Sequence, residues 1–166
     1  MPREEQGVSI DRYMIIPRTL IFIRCGESFL LIKGAAHKRL WANKYNGVGG
    51  HVECGEDILA AAKRELLEET GLSTEISLCG VVTVDAGEAI GIGMFVFSGE
   101  YTKGEIKSSG EGSLEWVKIN ELTSHPLVED VQLFLNRIIR MDAGDPPFFA
   151  HSFYDAENKL VVNFRD

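Results

Sequence analysis

The chain has 166 residues, 45% of them hydrophobic and 25% charged, a composition typical of one folded domain rather than a disordered or low-complexity segment. With 25 acidic against 17 basic side chains, the net charge of −8 argues against a nucleic-acid partner, which would require a basic stripe. The sequence has no run of 18 apolar residues, so we expect no membrane partner. Three widely spaced cysteines predict reduced thiols in a cytoplasmic protein, and residues 1–12 lack the apolar core of a signal peptide.

Short runs of β-branched and aromatic residues, bounded by turn residues, predict strands along most of the chain. The predicted strands are residues 18–24, 28–33, 76–84, 90–98 and 114–118, followed by a terminal hairpin of residues 148–154 and 159–164. Two segments predict helices: residues 57–70 are rich in strong helix formers, and the apolar residues of 128–141 recur with a helical period. Asp57 is expected to be the N-cap of the first helix or an acid in its first turn, and Gly71 is its expected C-cap.

The order of these elements predicts the fold class. Strands and helices do not alternate regularly, so we expect an α+β sandwich in which helices flank a mixed sheet. The predicted organisation is a tail over residues 1–12, a domain over 13–142, and an extension of the same domain over 143–166 that contains the hairpin. Within the segment 46–50, three of the four residues 47–50 are glycines, which predicts close approach of the backbone to another group.

The first helix concentrates carboxylates on one face. At about 100° per residue, Glu65, Glu68 and Glu69 share an arc of roughly 100°. Like-charged neighbours of this kind destabilise an exposed helix by about 0.2–0.5 kcal/mol per pair. A divalent cation bound between them would turn this destabilisation into a stabilising interaction. Carboxylate oxygens favour Mg²⁺ or Mn²⁺ over zinc, whereas the alternative is a solvated acidic face. The predicted buried stripe of this helix is Leu59, Ala62, Leu66 and Leu67.

Residues around the acidic arc bear on this choice. Arg64 directly precedes Glu65, and Glu56 precedes the helix at a distance that lets it fold back onto Arg64. Gly50 belongs to the glycine cluster, whose carbonyl groups could bind a metal. His51 and Cys54 lie between them, but two ligands do not make a zinc site.

Together these residues form one pattern: Gly50, five residues, Glu56, seven residues, and then RELLEETGL over residues 64–72. The pattern resembles the signature of the Nudix hydrolases at every fixed position, with leucine at both aliphatic positions. The order of elements over residues 18–141 is also similar to that family. The resemblance implies an α/β/α sandwich around a mixed sheet. It also implies an enzyme that uses Mg²⁺ or Mn²⁺ to hydrolyse a nucleoside diphosphate linked to another group.

The resemblance assigns metal ligands within the pattern. Glu65, Glu68 and Glu69 would bind the cation together with the backbone carbonyl of Gly50 or of its neighbour Gly49. Bound divalent ions would neutralise phosphate oxygens, lower the pKa of a bound water and align it for attack on phosphorus.

The resemblance also implies catalytic roles. Arg64 would orient a glutamate through a charge-assisted contact, and Glu56 would pair with Arg64 or hold a metal-bound water. The general base stays open between Glu68, Glu69 and Glu111, the last of which precedes a predicted strand containing tryptophan.

The substrate class is suggested by the sequence NGVGG at residues 46–50. This form resembles the Nudix subgroup that hydrolyses oxidised purine nucleoside triphosphates, in which an asparagine and an acid near the last helix read the purine edge. Asn46 matches the asparagine, and Asp130, together with Glu129, matches the acid. An amide and a carboxyl group can discriminate a purine by paired hydrogen bonds.

Other side chains near the pattern are candidates for substrate contacts. Aromatic rings could stack on the base, or alternatively fill the core, and they are Trp41, Tyr45 and Phe29. Basic side chains could bind phosphate, or alternatively be solvated, and they are Lys38, Arg39 and Lys44.

The leading hypothesis is a nucleoside triphosphate pyrophosphohydrolase that releases a nucleoside monophosphate and pyrophosphate, with 8-oxo-dGTP as a candidate substrate. The alternatives are hydrolysis of ADP-ribose or a dinucleoside polyphosphate, and a regulator that binds nucleotides without turnover. The expected partner is a small nucleotide. The terminal hairpin has three open roles: pairing with the sheet, completing the substrate pocket, or joining a homodimer.

Overall fold

The computed structural model describes residues 2, 5–9, 11–37, 39–87 and 89–165. Strands and helices form an α+β sandwich, and the predicted fold class is confirmed. The strands are β1 (Met14–Cys25), β2 (Ser28–Gly34), β3 (Tyr45–Asn46), β4 (Ile76–Val84), β5 (Ile90–Glu100), β6 (Gly112–Lys118), β7 (Phe148–Tyr154) and β8 (Leu160–Arg165). The helices are α1 (Ile58–Thr70), a short 3₁₀ helix (Ile119–Ser124) and α2 (Val131–Ile138). None of the helices in these described ranges is both long and apolar enough to cross a membrane.

All eight strands belong to one mixed sheet. Its order is β3-β2-β1-β5-β4-β7-β8, and β6 pairs with β2 off this path. The pairs β1/β5 and β4/β7 are parallel, and the other strand pairs are antiparallel. The terminal hairpin β7–β8 therefore extends the sheet from β4, which is one of the three roles that the sequence leaves open.

Both faces of the sheet are buried. Along β1, Leu20 and Phe22 belong to the core on the α2 side, whereas Ile21 and Ile23 belong to the core on the α1 side. Successive side chains of a strand point to opposite faces, so a strand covered on both sides reads as a continuous apolar run. The N-terminal half of β1 also holds the glycine-rich segment in place, because Thr19 and Ile21 donate their N–H groups to the carbonyls of Gly50 and Val48. The candidate site lies at this segment.

The ends of α1 follow local sequence signals. The Asp57 carboxylate accepts a hydrogen bond from the backbone N–H of Ala60 at 2.9 Å, which makes Asp57 the N-cap. Gly71 has a left-handed φ of 74° and donates its N–H to the carbonyl of Leu67 at 2.8 Å. Both predicted caps are confirmed.

The buried face of α1 differs from the prediction. Leu59 and Leu67 are 42% and 54% exposed, so their placement in the buried stripe is wrong. The helix instead packs through small residues as well as Leu66, and its buried positions are Ala61, Ala62, Leu66 and Thr70. On a helical wheel these positions span an arc of about 180° that contains Glu65 and Glu69. Part of the acidic arc therefore faces the protein.

Element lengths also differ from the prediction. The second helix is shorter than residues 128–141 and covers Val131–Ile138. The strand predicted over residues 18–24 begins four residues earlier, because β1 pairs with β5 in parallel from Met14 onward. A periodic pattern predicts that an element exists more reliably than where it ends.

Candidate active site

The acidic face of α1 lines a cavity of about 450 Å³. The opposite parts of its wall come from the glycine-rich segment after β3, the loop before β6, and the loop that carries Trp41. The predicted site residues that the structure brings together here are Trp41, Asn46, Gly50, Glu65, Glu68, Glu69 and Glu111. Residues far apart in sequence therefore meet at one concave site, as an active site requires.

Arg64 lies at the base of the carboxylate cluster. Its guanidinium binds both oxygens of Glu56, at 2.7 and 3.1 Å, and one oxygen each of Glu65 and Glu68, at 2.8 and 3.1 Å. It also donates to the carbonyl of His51 at 3.1 Å. The hydrogen bonds from Arg64 lower the pKa of Glu56, with a further contribution from the backbone N–H of Glu53. The contact with Glu56 raises the pKa of Arg64, and the contacts with Glu65 and Glu68 raise it further.

The two glycines that begin the pattern bring backbone against carboxylates. Gly49 donates its N–H to Glu69 Oε2 at 3.0 Å. Gly50 lies directly against the Glu65 carboxylate, since a Cβ added there would be 2.6 Å from Glu65 Cδ. The carbonyl of Gly50 accepts from the N–H of Thr19 at 2.8 Å, which ties this segment to β1. The close approach predicted from the glycines is the contact between this segment and α1.

The donors at this site suit a hard divalent cation in their chemistry. They are carboxylate and carbonyl oxygens, the ligands that Mg²⁺ and Mn²⁺ prefer. Within the part of the chain that the structure describes, no group of three or more His, Cys, Asp or Glu side chains already converges as metal ligands do. Glu65 and Glu68 are oriented by Arg64 instead, and Cys54 is exposed.

A second cavity of about 390 Å³ adjoins the first, because Arg18, Trp41 and Asn46 line both. Its other walls include Lys44, the start of α2 at Asp130, and the hairpin residues Ser152, Tyr154 and Leu160. The hairpin thus also lines the site. The two cavities form one cleft with an acidic end and a mixed polar and apolar end.

The predicted pair Asn46 and Asp130 lies in this second cavity. Asn46 Oδ1 accepts the N–H of Gly47 at 2.8 Å, which orients the side-chain amide. Burial raises the pKa of Asp130, and the neighbouring charge of Glu129 raises it further, although backbone N–H groups act in the opposite direction. Asp130 therefore holds its proton to a higher pH than an exposed aspartate does.

The three aromatic candidates have different fates. Trp41 is 44% exposed, has a left-handed φ of 57° and lines both cavities. Phe29 and Tyr45 are buried in the core, so stacking of either on a base is wrong and the core alternative holds. The Tyr45 hydroxyl donates to Glu115 Oε2 at 2.6 Å, a hydrogen bond that raises the pKa of Tyr45 to about 12.

The basic candidates are dispersed. Lys44 lines the second cavity, Arg39 is exposed away from the described lining of both, and Lys38 lies outside the described residues. Two further residues that line the second cavity, Arg18 and Ser152, lie outside the motifs singled out in the sequence. The available signal was a polar residue on an otherwise apolar strand face: Arg18 precedes Leu20 and Phe22 on β1, and Ser152 follows Phe148 and Ala150 on β7.

Comparisons with known proteins agree with this geometry. Residues 14–138 match the family model of the NUDIX domain. The chain is 31% identical over 151 residues to the oxidized purine nucleoside triphosphate hydrolase of Mus musculus, which covers 89% of this chain and 93% of the relative. It is 33% identical over 111 residues to the protein of the same name from Danio rerio, covering 66% of this chain and 71% of the relative.

Solved structures show the same fold. A MutT protein from Bacillus halodurans superposes with a TM-score of 0.75 at 24% identity, over 90% of this chain and 97% of that one. The NUDIX domain of Shewanella oneidensis NrtR, in complex with ADP ribose, superposes with a TM-score of 0.64 at 14% identity, over 84% of this chain and 97% of that one. From the family model that matches residues 14–138 and the Mus musculus relative that is matched over 93% of its length, this chain belongs to the Nudix family and is a hydrolase that acts on phosphoric anhydride bonds.

Proposed function

We propose that this protein is a Mg²⁺-dependent pyrophosphohydrolase of purine nucleoside triphosphates, including oxidised purines such as 8-oxo-dGTP, and that it releases a nucleoside monophosphate and pyrophosphate. Nudix hydrolases act on small nucleotides and generally use a divalent metal ion. The observation that carries the proposal is the joined cleft, whose acidic end suits cation-bound phosphates and whose other end presents an amide and a carboxyl group. Two relatives named for hydrolysis of oxidised purine triphosphates support it.

At the acidic end, Glu65, Glu68 and Glu69 with the carbonyl of Gly50 or Gly49 would hold Mg²⁺, for which Mn²⁺ could substitute. The bound cation supplies charge neutralisation of the triphosphate and a water of lowered pKa. The chain's own contribution is orientation. Arg64 donates to one oxygen of Glu65 and one of Glu68, which orients both carboxylates. Glu56 in turn holds the guanidinium of Arg64 through both of its oxygens.

The attacking water needs a base within hydrogen-bond reach. Glu68, Glu69 and Glu111 line the same cavity and are the three candidates. Glu111 approaches from the loop before β6, across the cavity from α1. Separate glutamine substitutions at the three positions distinguish the base from a metal ligand. Loss of the base lowers kcat, whereas loss of a ligand also raises the Mg²⁺ concentration needed for half-maximal activity.

At the other end, Asn46 and Asp130 would read the purine edge. Because burial raises its pKa, a protonated Asp130 can donate a hydrogen bond to a base acceptor, which an ionised carboxylate cannot. Trp41 would stack on the base, and its exposed ring at the junction of the cavities suits that role. Lys44 would contact the substrate from the wall that it shares with Asp130.

The test is an assay of the purified protein with Mg²⁺ that reads pyrophosphate, phosphate and AMP separately, using dGTP, 8-oxo-dGTP and ADP-ribose. We expect pyrophosphate from the triphosphates, and loss of turnover in Glu69→Gln. The matched control is Glu75→Gln, because Glu75 is almost fully exposed and lies outside the cleft. Faster release of AMP from ADP-ribose than of pyrophosphate from either triphosphate would contradict the proposed substrate. Unchanged turnover in Glu69→Gln would contradict the proposed site.

A further inference from the structure

The hairpin places a hydroxyl group in the wall of the second cavity. Ser152 is completely buried, and its Oγ has no hydrogen-bond partner among the residues that the structure describes. Its backbone is fixed, since Ser152 pairs with Val84 and its carbonyl accepts the N–H of Asp85 at 2.7 Å. The side chains on the same face of the hairpin, Ala150 and Val162, are apolar. A buried hydroxyl without a partner destabilises the fold, so its presence calls for an explanation.

Arg18, on strand β1, shows the same feature in the lining of this cavity. Its Nε is buried and unpartnered within the described chain, and its side chain shares the face of β1 that carries Leu20 and Phe22. Arg18 and Ser152 are the residues in which such atoms occur in the described ranges, and both line this cavity. Strands β1 and β7, which are not paired with each other, therefore each place a polar group without a hydrogen-bond partner in the lining of the second cavity.

The positions of the two groups indicate different ligand atoms. Ser152 lines only the second cavity, where Asp130 also lies, whereas Arg18 lines both cavities at their junction with Asn46. A serine hydroxyl can donate or accept, so it can meet either kind of atom on a base edge. A guanidinium Nε only donates, so it needs an acceptor oxygen or nitrogen.

We propose that Ser152 and Arg18 are specificity-determining residues that bind the nucleoside part of the substrate. Ser152 Oγ hydrogen-bonds to the base edge, and Arg18 Nε donates to an acceptor where the nucleoside meets the triphosphate. The inference rests on the proposed function, because it assigns contacts within the same cleft. It makes the terminal hairpin part of the binding site.

The first test is Ser152→Ala, which removes the unpartnered hydroxyl and little else. We expect KM for a purine nucleoside triphosphate to rise roughly 3- to 10-fold, the loss of one neutral hydrogen bond, with kcat changed by less than about twofold. Inhibition by inorganic tripolyphosphate, which has no nucleoside, should be unchanged. The melting temperature without nucleotide should stay equal or rise, because an unsatisfied buried group is removed. Asn163→Ala is the control, since Asn163 is exposed on the same hairpin, and it should match the wild type.

The second test is Arg18→Lys, which keeps the positive charge but loses Nε–H. It should raise KM for the nucleotide by a similar factor and leave inhibition by tripolyphosphate unchanged. If Ser152→Ala binds the nucleotide as the wild type does, or melts lower without it, the hydroxyl is structural and the inference is wrong.

A binding readout separates this inference from the proposed reaction. The shift in melting temperature caused by a purine nucleoside monophosphate measures nucleoside binding without turnover. If the wild type releases no pyrophosphate but is stabilised by the monophosphate, and Ser152→Ala reduces that shift, the proposed reaction fails and the inference survives. An equal shift in both proteins overturns the inference, whatever the activity.

Discussion

Gly50→Ala tests whether the position of the Glu65 carboxylate governs activity. Gly50 has an ordinary φ, so alanine can adopt its backbone without strain. The added Cβ would lie 2.6 Å from Glu65 Cδ and 2.9 Å from Oε2, whereas ordinary contact begins at 3.4 Å. The contact with Oε1 is closer still, and relieving it requires the carboxylate to move by about 1 Å.

A displacement of about 1 Å in a catalytic constellation can lower the rate on the order of 100-fold, which corresponds to about 2.7 kcal/mol in the activation barrier. We expect such a loss in the Mg²⁺-dependent kcat of Gly50→Ala. The melting temperature should change little, because the group that moves is the end of a side chain rather than packed backbone.

The assay is release of pyrophosphate at saturating nucleotide over a range of Mg²⁺ concentrations, together with thermal unfolding. Gly110→Ala is the matched control: its Cβ would meet nothing within 4 Å, and its φ is ordinary, so both activity and stability should match the wild type. A Gly50→Ala protein with full kcat would show that the close contact with Glu65 has no role in catalysis. A protein that unfolds would show that the segment, not the carboxylate, had moved.

Three further substitutions address other parts of the molecule. Asp57→Ala removes the cap on α1 and should lower the free energy of unfolding by about 1 kcal/mol, measured by denaturant titration; an unchanged midpoint would contradict the capping contact. Arg64→Lys keeps the charge but cannot reproduce the bidentate pair with Glu56, so kcat should fall at least about tenfold while the fold persists in circular dichroism; full activity would remove Arg64 from its orienting role. The pKa of Asp130 is raised by burial, so the stability that its protonated form provides is lost as pH rises through that pKa. Asp130→Asn cannot ionise, and its melting temperature should equal that of the wild type in acid and exceed it at neutral pH; a constant difference across pH would contradict the raised pKa.

The sequence predicts α1 well because its determinants are local. Asp57, Gly71 and the helix formers between them specify the ends and the type of the element within one short segment. The glycines at 49 and 50 were also interpretable, since glycine clusters indicate close backbone approach, and the partner proved to be α1 itself.

The features that the sequence did not predict depend on tertiary packing. A wheel ranks Leu59 and Leu67 as buried because they are apolar, but the contact of α1 with the sheet runs through Ala61 and Ala62. Small side chains allow close approach and leave larger neighbours outside. The convergence of Arg18 and Ser152 on the second cavity depends likewise on the pairing of β1 with β5 and of β7 with β4, which no local pattern specifies.

The placement of the acidic arc bears on the two interpretations that its sequence allows. A solvated acidic face requires carboxylates directed at water. The Glu68 side chain is 58% exposed, but that of Glu65 is only 15% exposed and Glu69 is also partly buried. Each carboxylate of the arc already accepts a hydrogen bond on one oxygen, Glu65 and Glu68 from Arg64 and Glu69 from Gly49. Each of these hydrogen bonds restricts the direction in which its carboxylate points, so the three groups are oriented by the protein. Glu65, Glu68 and Glu69 place three negative charges around one cavity, and the single charge of Arg64 offsets only part of them. We therefore expect that Mg²⁺ stabilises the folded protein and that its removal lowers the melting temperature.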